Sequence, residues 1–156
     1  MRALPPGVWP LDQVEPGDHL QTGFVTVSAE KIDTFANLTG DHYDIHLSDE
    51  AAKRHGFSAR TAHGLLIVAL VDGLKSQSPV QFQTYAALGW NWTFRAPVYA
   101  GDQIRACIAV KSKRSATADK GVLTLSVTVE NQNGEIVQLG ETRLMAYRQS
   151  PKPNAV

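Results

Sequence analysis

The chain has 156 residues, which is a length typical of a single domain. Lysine and arginine together number 15, as do aspartate and glutamate, so the formal net charge is zero. A balanced charge gives no reason to expect nucleic acid or an anionic membrane as a partner. The single cysteine, Cys107, excludes an internal disulfide, and no apolar run is long enough to span a bilayer. Because the start carries no signal-peptide pattern, we expect a reduced, soluble, cytoplasmic protein.

Residues 1–18 contain four prolines, which predicts an irregular lead-in, and residues 19–27 predict a first strand. Ser28 then suits the N-cap of a helix, because its hydroxyl can accept a hydrogen bond from an otherwise unpaired helical N–H. The apolar stripe of this helix comprises Ile32, Phe35, Ala36 and Leu38. Gly40 is expected to end the helix, since glycine enters the left-handed conformation without steric cost.

Residues 41–47 are therefore expected to form a loop, and residues 48–54 predict a short helix. Residues 64–76 form the most apolar predicted helix, with almost no polar face in its first two turns. A helix that is apolar on nearly all sides must be covered by other elements. We therefore expect the rest of the chain to wrap around it.

From Gln81 onward, apolar residues recur at every second position, which is typical of strands. Alternating series occupy residues 82–94, 104–110, 123–129 and, more weakly, 136–147. The pair Asn133-Gly134 predicts a hairpin with a type I′ turn, which needs positive φ at both central residues. Residues 149–156 are expected to be a frayed tail.

The order of these elements predicts a single α+β domain over residues 19–148. Its core would be a curved antiparallel sheet of about five strands, wrapped around the long apolar central helix. The second face and the edges of such a sheet need cover, which favours a homodimer or a higher oligomer of dimers.

The densest polar cluster in the chain runs from Thr39 to His46. On a loop, Asp41 and His46 can converge on one atom, whereas the same spacing along a helix would separate them. A carboxylate and an imidazole are the usual pair for proton transfer near neutral pH. Gly64 is expected at a helix start, where a free N–H and the helix dipole favour a developing negative charge.

The motifs Thr39-Gly40-Asp41 with His46, Ala62-His63-Gly64, and Pro97-Val98 with Gly101-Asp102 resemble those of the MaoC-like (R)-specific enoyl-CoA hydratases. The resemblance covers residues 15–148 and implies a hotdog fold with the active site at a dimer interface. It further implies Asp41 and His46 as the catalytic acid–base pair, and the Gly64 amide as the donor to the thioester oxygen.

The implied reaction is the reversible hydration of trans-2-enoyl-CoA to (R)-3-hydroxyacyl-CoA in fatty-acid metabolism. No cofactor is implied apart from coenzyme A as part of the substrate. His63, Tyr43 and Ala62 are the expected substrate-binding residues, with His63 bracing the loop. Tyr43-Asp44 stand where the family usually has Asn-Pro. Asp44 is expected to raise the pKa of His46 or to orient its ring.

Several side chains have simpler interpretations than a functional one. His42 and His46, with Asp41 and Asp44, suggest a metal site, but a break at Gly40 removes the helical i, i+4 geometry, and no metal is predicted. The row Trp90, Trp92 and Phe94 is expected to be core packing, with the ligand tunnel as the alternative. The basic residues Arg95, Lys111, Lys113 and Arg114 are expected to be solvated rather than bound to phosphates.

Two other functions are compatible with these residues. An acyl-CoA thioesterase could use Asp41 to activate water against the thioester carbonyl. A non-catalytic acyl-thioester binding protein could keep the same site for recognition. The fold alone does not separate these from a hydratase, and the sequence leaves the acyl chain and its carrier open.

Overall fold

The computed structural model describes residues 1–150, and these form eight strands and three α-helices. The helices are α1 (Ala29–Thr39), α2 (Asp49–Arg54) and α3 (Gly64–Gln77). The strands are β1 (Gly7–Trp9), β2 (His19–Gln21), β3 (Val25–Thr26), β4 (Val80–Phe82), β5 (Thr84–Phe94), β6 (Gln103–Ser115), β7 (Lys120–Asn131) and β8 (Ile136–Tyr147). The expected tail falls on residues 149–156, of which 151–156 lie outside the described residues.

The main sheet is antiparallel and has the strand order β2-β6-β7-β8-β5, with β3 also paired to β6. Its centre is the meander β6-β7-β8, in which each strand follows its neighbour in sequence. Strand β5 pairs only with β8 among the described residues, so its other edge is free. The predicted antiparallel α+β architecture is confirmed.

Helix α3 packs against the sheet through one face. Leu66, Ile67 and Val71 are buried there, in the same cluster as Ile104 and Ile108 of β6. Leu65 on the opposite face is exposed, so the expectation of a helix covered on nearly all sides is wrong for this chain by itself. The sheet reaches one side of α3, and the other side is left without cover.

The lead-in is mostly irregular, as predicted, but it also contains the short strand β1 and a 3-10 turn over Leu11–Gln13. Strand β1 pairs in parallel with β4, from Gly7 opposite Val80 to Trp9 opposite Phe82. Leu4, Leu11 and Val14 are buried in the core cluster. Pairing with a distant strand supplies hydrogen-bond partners that a local reading of the sequence cannot detect.

The predicted first strand, residues 19–27, is interrupted between β2 and β3. At the interruption, the side chain of Thr22 takes the place of a backbone acceptor. Its Oγ1 accepts a hydrogen bond from the N–H of Ala106 over 2.9 Å. The N–H of Thr22 donates in turn to the carbonyl of Ala106 over 2.9 Å. Both short strands therefore stay attached to β6.

The two ends of α1 follow the predicted capping pattern. Ser28 accepts a hydrogen bond from the N–H of Lys31, and Gly40 adopts φ 78° at the end of α1. Ser48 caps α2 in the same way. Leu38 was predicted to belong to the apolar stripe of α1, but it is exposed. No helix of the described residues is long and apolar enough to cross a membrane.

The hairpin between β7 and β8 is present, but the predicted type I′ turn is wrong. Gly134 has φ 77°, whereas no other residue type in residues 1–150 has positive φ, so Asn133 does not. The side chain of Asn131 accepts hydrogen bonds from the N–H groups of Asn133 and Glu135, over 2.9 and 3.1 Å. This bonding stabilises a longer turn, in which only Gly134 needs the left-handed conformation.

The aromatic row of β5 packs against the core only at Trp92, and the expectation of core packing is wrong for Trp90 and Phe94. Trp90 is 41% exposed and Phe94 is 54% exposed, while Trp92 is half-buried. An edge strand has a neighbour on one side only, and α3 covers only part of its inner face. The row therefore forms an apolar surface beside the open edge of the sheet.

Candidate active site

The polar loop after α1 is shaped by its own hydrogen bonds. Gly40 turns the chain, the N–H of Asp41 donates to Oγ1 of Thr39, and the N–H of Tyr43 donates to Oδ1 of Asp41. A short 3-10 turn over Asp44–His46 follows. As a result, side-chain polar atoms of Asp41, His46 and His63 all lie within 4.8 Å of one another.

The ring of His46 is buried and held in one orientation. Its Nδ1 lies 2.8 Å from the carbonyl oxygen of Thr61. A carbonyl can only accept, so Nδ1 carries the proton and Nε2 keeps a free lone pair. The backbone N–H of Thr61 also donates to the carbonyl of Ile45 over 3.0 Å, which ties this segment to the loop.

His63 braces the loop from the other side. Its Nε2 donates to the backbone carbonyl of Asp41 over 2.9 Å, and its ring stacks on that of His46 with a centroid distance of 3.8 Å. The same argument about the carbonyl puts the proton on Nε2. The buried Nδ1 of His63 then carries a lone pair that has no hydrogen-bond partner among residues 1–150.

The surroundings lower the pKa of His46. Burial is the largest cause, because it disfavours the charged imidazolium, and the nearby His63 and Arg60 act in the same direction. The carbonyl of Thr61 and the carboxylate of Asp41 raise the pKa but do not outweigh the burial. His46 is therefore neutral near pH 7, with its lone pair available as a proton acceptor.

Two carbonyl-bound histidines beside a carboxylate also resemble a metal-ligand set. The stacking of the two rings disfavours chelation. Imidazole lone pairs lie in the ring plane, and planes inclined by only 25° at this separation do not meet at metal-bonding distance. The arrangement of Asp41, His46 and His63 suits proton transfer better than chelation.

Gly64 begins α3, and its N–H has no acceptor among the described residues. A Cβ at this position would lie 2.2 Å from Cε2 of Phe94, so glycine allows the aromatic ring to pack directly on the backbone. Gln138, buried in β8, donates to the carbonyl of Gly64 over 3.0 Å. Its Oε1 accepts from the indole N–H of Trp92 over 2.8 Å. The first turn of α3 is thus attached to the sheet.

An open cavity of about 410 Å³ lies between the loop, α3 and the end of β5. His46, Ala62 and Gly64 line it, whereas Asp41 and His63 are not among its lining residues. Its further lining residues are Ile45, Phe57, Thr61, Ile67, Phe94, Arg95, Ala96, Pro97, Val98 and Gln138. Most of these side chains are apolar, as expected of a site for an acyl chain.

Tyr43 and Asp44 lie away from the positions that the sequence suggested. Tyr43 is 69% exposed and does not line the cavity. Asp44 accepts from Nε2 of His55 over 3.2 Å and lies 3.9 Å from Arg54. The expectation that Asp44 raises the pKa of His46 or orients its ring is therefore wrong, since Thr61 orients the ring and burial lowers the pKa.

Arg60, Phe57 and Gln138 were not predicted from the sequence to be parts of the site. A glutamine in an apolar strand was a usable signal, because a buried amide requires hydrogen-bond partners.

Among the basic residues, Lys111 and Lys113 form ion pairs with Glu141 and Glu15.

The sequence profile of the MaoC like domain matches residues 12–132. The chain belongs to the MaoC-like dehydratase family. A MaoC-like relative from Aeromonas caviae, an (R)-specific enoyl-CoA hydratase, is 32% identical over 114 residues, spanning 72% of this chain and 81% of that protein. The 3-hydroxyacyl-thioester dehydratase Z of Mycobacterium tuberculosis is 31% identical over 113 residues, spanning 70% and 75% of the two chains.

The solved structures extend the similarity to almost the whole MaoC-like chain. A protein from Archaeoglobus, described as a monoamine oxidase regulatory protein, superimposes with a TM-score of 0.85 and 26% identity, covering 94% of this chain and 99% of its own. The structural neighbours are MaoC hotdog domains, which confirms the predicted hotdog architecture.

Proposed function

We propose that this MaoC-like domain catalyses the reversible addition of water to trans-2-enoyl thioesters, giving (R)-3-hydroxyacyl thioesters. One observation carries the proposal. A carboxylate oxygen of Asp41 lies within 4.8 Å of a ring nitrogen of His46, whose Nε2 carries a lone pair, and His46 and Gly64 line the same largely apolar cavity. A proton-transfer pair of which His46 lines the cavity, together with an oxyanion donor from a residue of the same lining, suits hydration of a conjugated thioester.

In this proposal, Asp41 and His46 hold one water molecule between them. The water oxygen forms a bond to C3 of the substrate while the pair takes up one of the water protons. The pair then returns a proton to C2, so that its own protonation is unchanged after one turnover. The acid and base roles are assigned to the pair as a whole, because proton uptake and proton return are shared between the two neighbouring groups.

Gly64 would stabilise the enolate-like oxygen of the thioester as the C3–O bond forms. Its N–H is at the start of α3, where the helix dipole adds to the hydrogen bond. Loss of one such donor typically raises a barrier by about 3–4 kcal/mol. The donor is the backbone N–H itself, which a side-chain substitution at Gly64 does not remove. Such a substitution therefore tests whether the position of the N–H matters.

The substrate carrier is proposed to be coenzyme A, with acyl carrier protein as the alternative. Two relatives bear on this choice, one described as an enoyl-CoA hydratase and one as acting on 3-hydroxyacyl thioesters. No further cofactor enters the proposed reaction, because water, the proton and the thioester are all accounted for by the side chains and amide described above.

We further propose that the active form is a homodimer. Strand β5 leaves one edge unpaired, and apolar side chains surround that edge on β5 and on the uncovered face of α3. They are Leu65, Tyr85, Leu88, Trp90 and Phe94. A second copy on this edge would bury them and would lie next to Phe94, at the mouth of the cavity.

The decisive test follows crotonyl-CoA with two readouts at once. One is the loss of enoyl-thioester absorbance, and the other is the release of free thiol. Hydration without thiol release is expected, and chiral analysis of the product should give the (R) isomer. Asp41→Asn and His46→Gln should each lower kcat by about 100-fold or more. His42→Gln is the matched control, because His42 is an exposed histidine on the same loop, bonded to Asn37.

Two outcomes would reject the proposal in different ways. Thiol release without hydration would identify a thioesterase. Binding of the enoyl thioester without turnover, retained in Asp41→Asn, would identify a non-catalytic binding protein.

A further inference from the structure

Arg60 makes contacts on three sides of the catalytic loop. Its Nε donates to the backbone carbonyl of His46 over 2.5 Å, and its terminal nitrogen pairs with the carboxylate of Asp33 on α1. Its backbone N–H donates to Oδ1 of Asp49, the first residue of α2, over 2.8 Å. The side chain is only 12% exposed. Thus one residue connects α1, the loop and α2.

The next residue holds the same histidine from the other end. Thr61 accepts from Nδ1 of His46, while Arg60 donates to the carbonyl of His46. The backbone carbonyl of His46 is therefore bonded to Arg60, and its ring is bonded to the next residue, Thr61. A guanidinium suits this position, because its rigid fork can bond a carbonyl and a carboxylate together.

We propose that Arg60 is the positioning residue of His46, fixing its backbone against α1 and placing a permanent positive charge beside the imidazole. The inference rests on the proposed function only for its activity readout. Arg60 is not among the residues that line the cavity, and it acts through His46 rather than on the substrate.

The charge gives this role a measurable consequence. The titratable and charged groups around His46 are Asp41 on its own loop, His63 at the start of α3 and Arg60, whose neighbours are Asp33 and Asp49. The positive charge of Arg60 contributes to lowering the pKa of His46. Removing that charge should raise this pKa, whereas a purely structural residue would leave it unchanged.

The experiment compares Arg60→Met, which removes both charge and donors, with Arg60→Lys, which keeps the charge but not the fork. For Arg60→Met we expect kcat to fall by about 10- to 100-fold with KM within about threefold of the parent value. The acidic limb of its pH profile should move up by about half a unit. For Arg60→Lys, the acidic limb should stay at the pH of the parent protein, and part of the lost kcat should be recovered.

Arg105→Met is the matched control. Arg105 is a partly buried arginine whose Nε pairs with Glu130 over 2.5 Å on the sheet, and it does not line the cavity. It should keep the parent kcat and pH profile. Should Arg60→Met fail to fold, Asp33→Asn removes the anchor of Arg60 while its charge stays, and a fall in kcat without an upward shift of the limb is expected.

A second readout is independent of turnover. NMR titration of the His46 ring should give a higher pKa in Arg60→Met than in the parent and Arg60→Lys proteins. An unchanged pKa together with unchanged kcat, or a loss of kcat that Arg60→Lys does not relieve, would overturn the proposal. If the parent protein hydrates no enoyl thioester, the proposed function fails, and the titration still decides the role of Arg60.

Discussion

The side-chain nitrogen of Gln138 lies 3.0 Å from the carbonyl oxygen of Gly64, although the two residues are in β8 and at the start of α3. The oxygen of the same side chain accepts from the indole of Trp92 on β5. Gln138 is almost completely buried, so neither contact is exchanged with solvent. The proposed oxyanion donor is thus held by a chain of hydrogen bonds that runs to the edge strand.

Replacing Gln138 with leucine should reduce both stability and activity. The indole of Trp92 would lose its acceptor, and a buried polar group without a partner costs about 1–3 kcal/mol. We expect a Tm lower by several degrees and a kcat lower by about tenfold, because the first turn of α3 is no longer held. Thermal unfolding and steady-state kinetics measure the two effects.

Gln81→Leu provides a control at the opposite end of the same helix. Gln81 donates to backbone carbonyls near the C-terminus of α3, those of Lys75, Ser76 and Ser78. Its loss should lower Tm while kcat is retained. Equal losses of kcat in the two variants would mean that general stability, and not the placement of Gly64, explains the result.

Gly64→Ala should disturb the cavity through Phe94. The new Cβ would lie 2.2 Å from the aromatic ring, which must therefore move. We expect kcat/KM to fall by at least about tenfold, and the additional change Phe94→Ala to relieve part of the loss. A double-mutant cycle should show coupling of about 1 kcal/mol or more, whereas additive effects would contradict a direct clash.

The acidic limb of the pH profile of kcat/KM should lie below the ordinary imidazole pKa of about 6.5. The proposed active form has neutral His46, and burial lowers the pKa of His46. The neutral form therefore persists to lower pH, and activity is lost as pH falls through the lowered value. A limb at or above pH 6.5 would show that another group controls it.

Leu88→Arg on the free edge of β5 should produce monomers. A charge at this exposed apolar position opposes burial against a second copy. Sedimentation velocity at micromolar concentration should show the parent chain as a dimer and the variant as a monomer with reduced activity. A parent chain that is monomeric and fully active would exclude the proposed dimer.

Asp44→Asn should leave the activity and the pH profile unchanged, because Asp44 pairs with His55 and Arg54 and not with His46. Steady-state kinetics across pH would check this. A shift of the acidic limb would restore the interpretation suggested by the position of Asp44 in the sequence.

Local patterns predicted much of the fold. The Ser28 cap, the left-handed Gly40 and the three strands of the meander all depend on neighbouring residues, and all are present. The parallel pairing of β1 with β4 was missed, since it joins segments distant in sequence. The exposure of Phe94 was missed for a similar reason, because alternation identifies a strand face but not whether a neighbour covers it.

For the site, the convergence of Asp41 and His46 followed from the helix end at Gly40 and is present in the structure. The contacts that hold His46 in place were not predicted from the sequence. Thr61 and Arg60 hold His46 through backbone carbonyls, and a carbonyl carries no sequence signature. Spacing thus predicted which side chains lie close together but not the contacts that hold them.

The position of β5 in the sheet has a consequence during synthesis. The ribosome completes β5 well before β8, the strand to which it pairs, which ends at Tyr147. At roughly 5–20 residues per second, the aromatic strand stays unpaired on both sides for several seconds. Such a segment is a template for aggregation until it pairs. Slower translation or crowded expression should therefore reduce the yield of folded protein, even where the finished chain is stable.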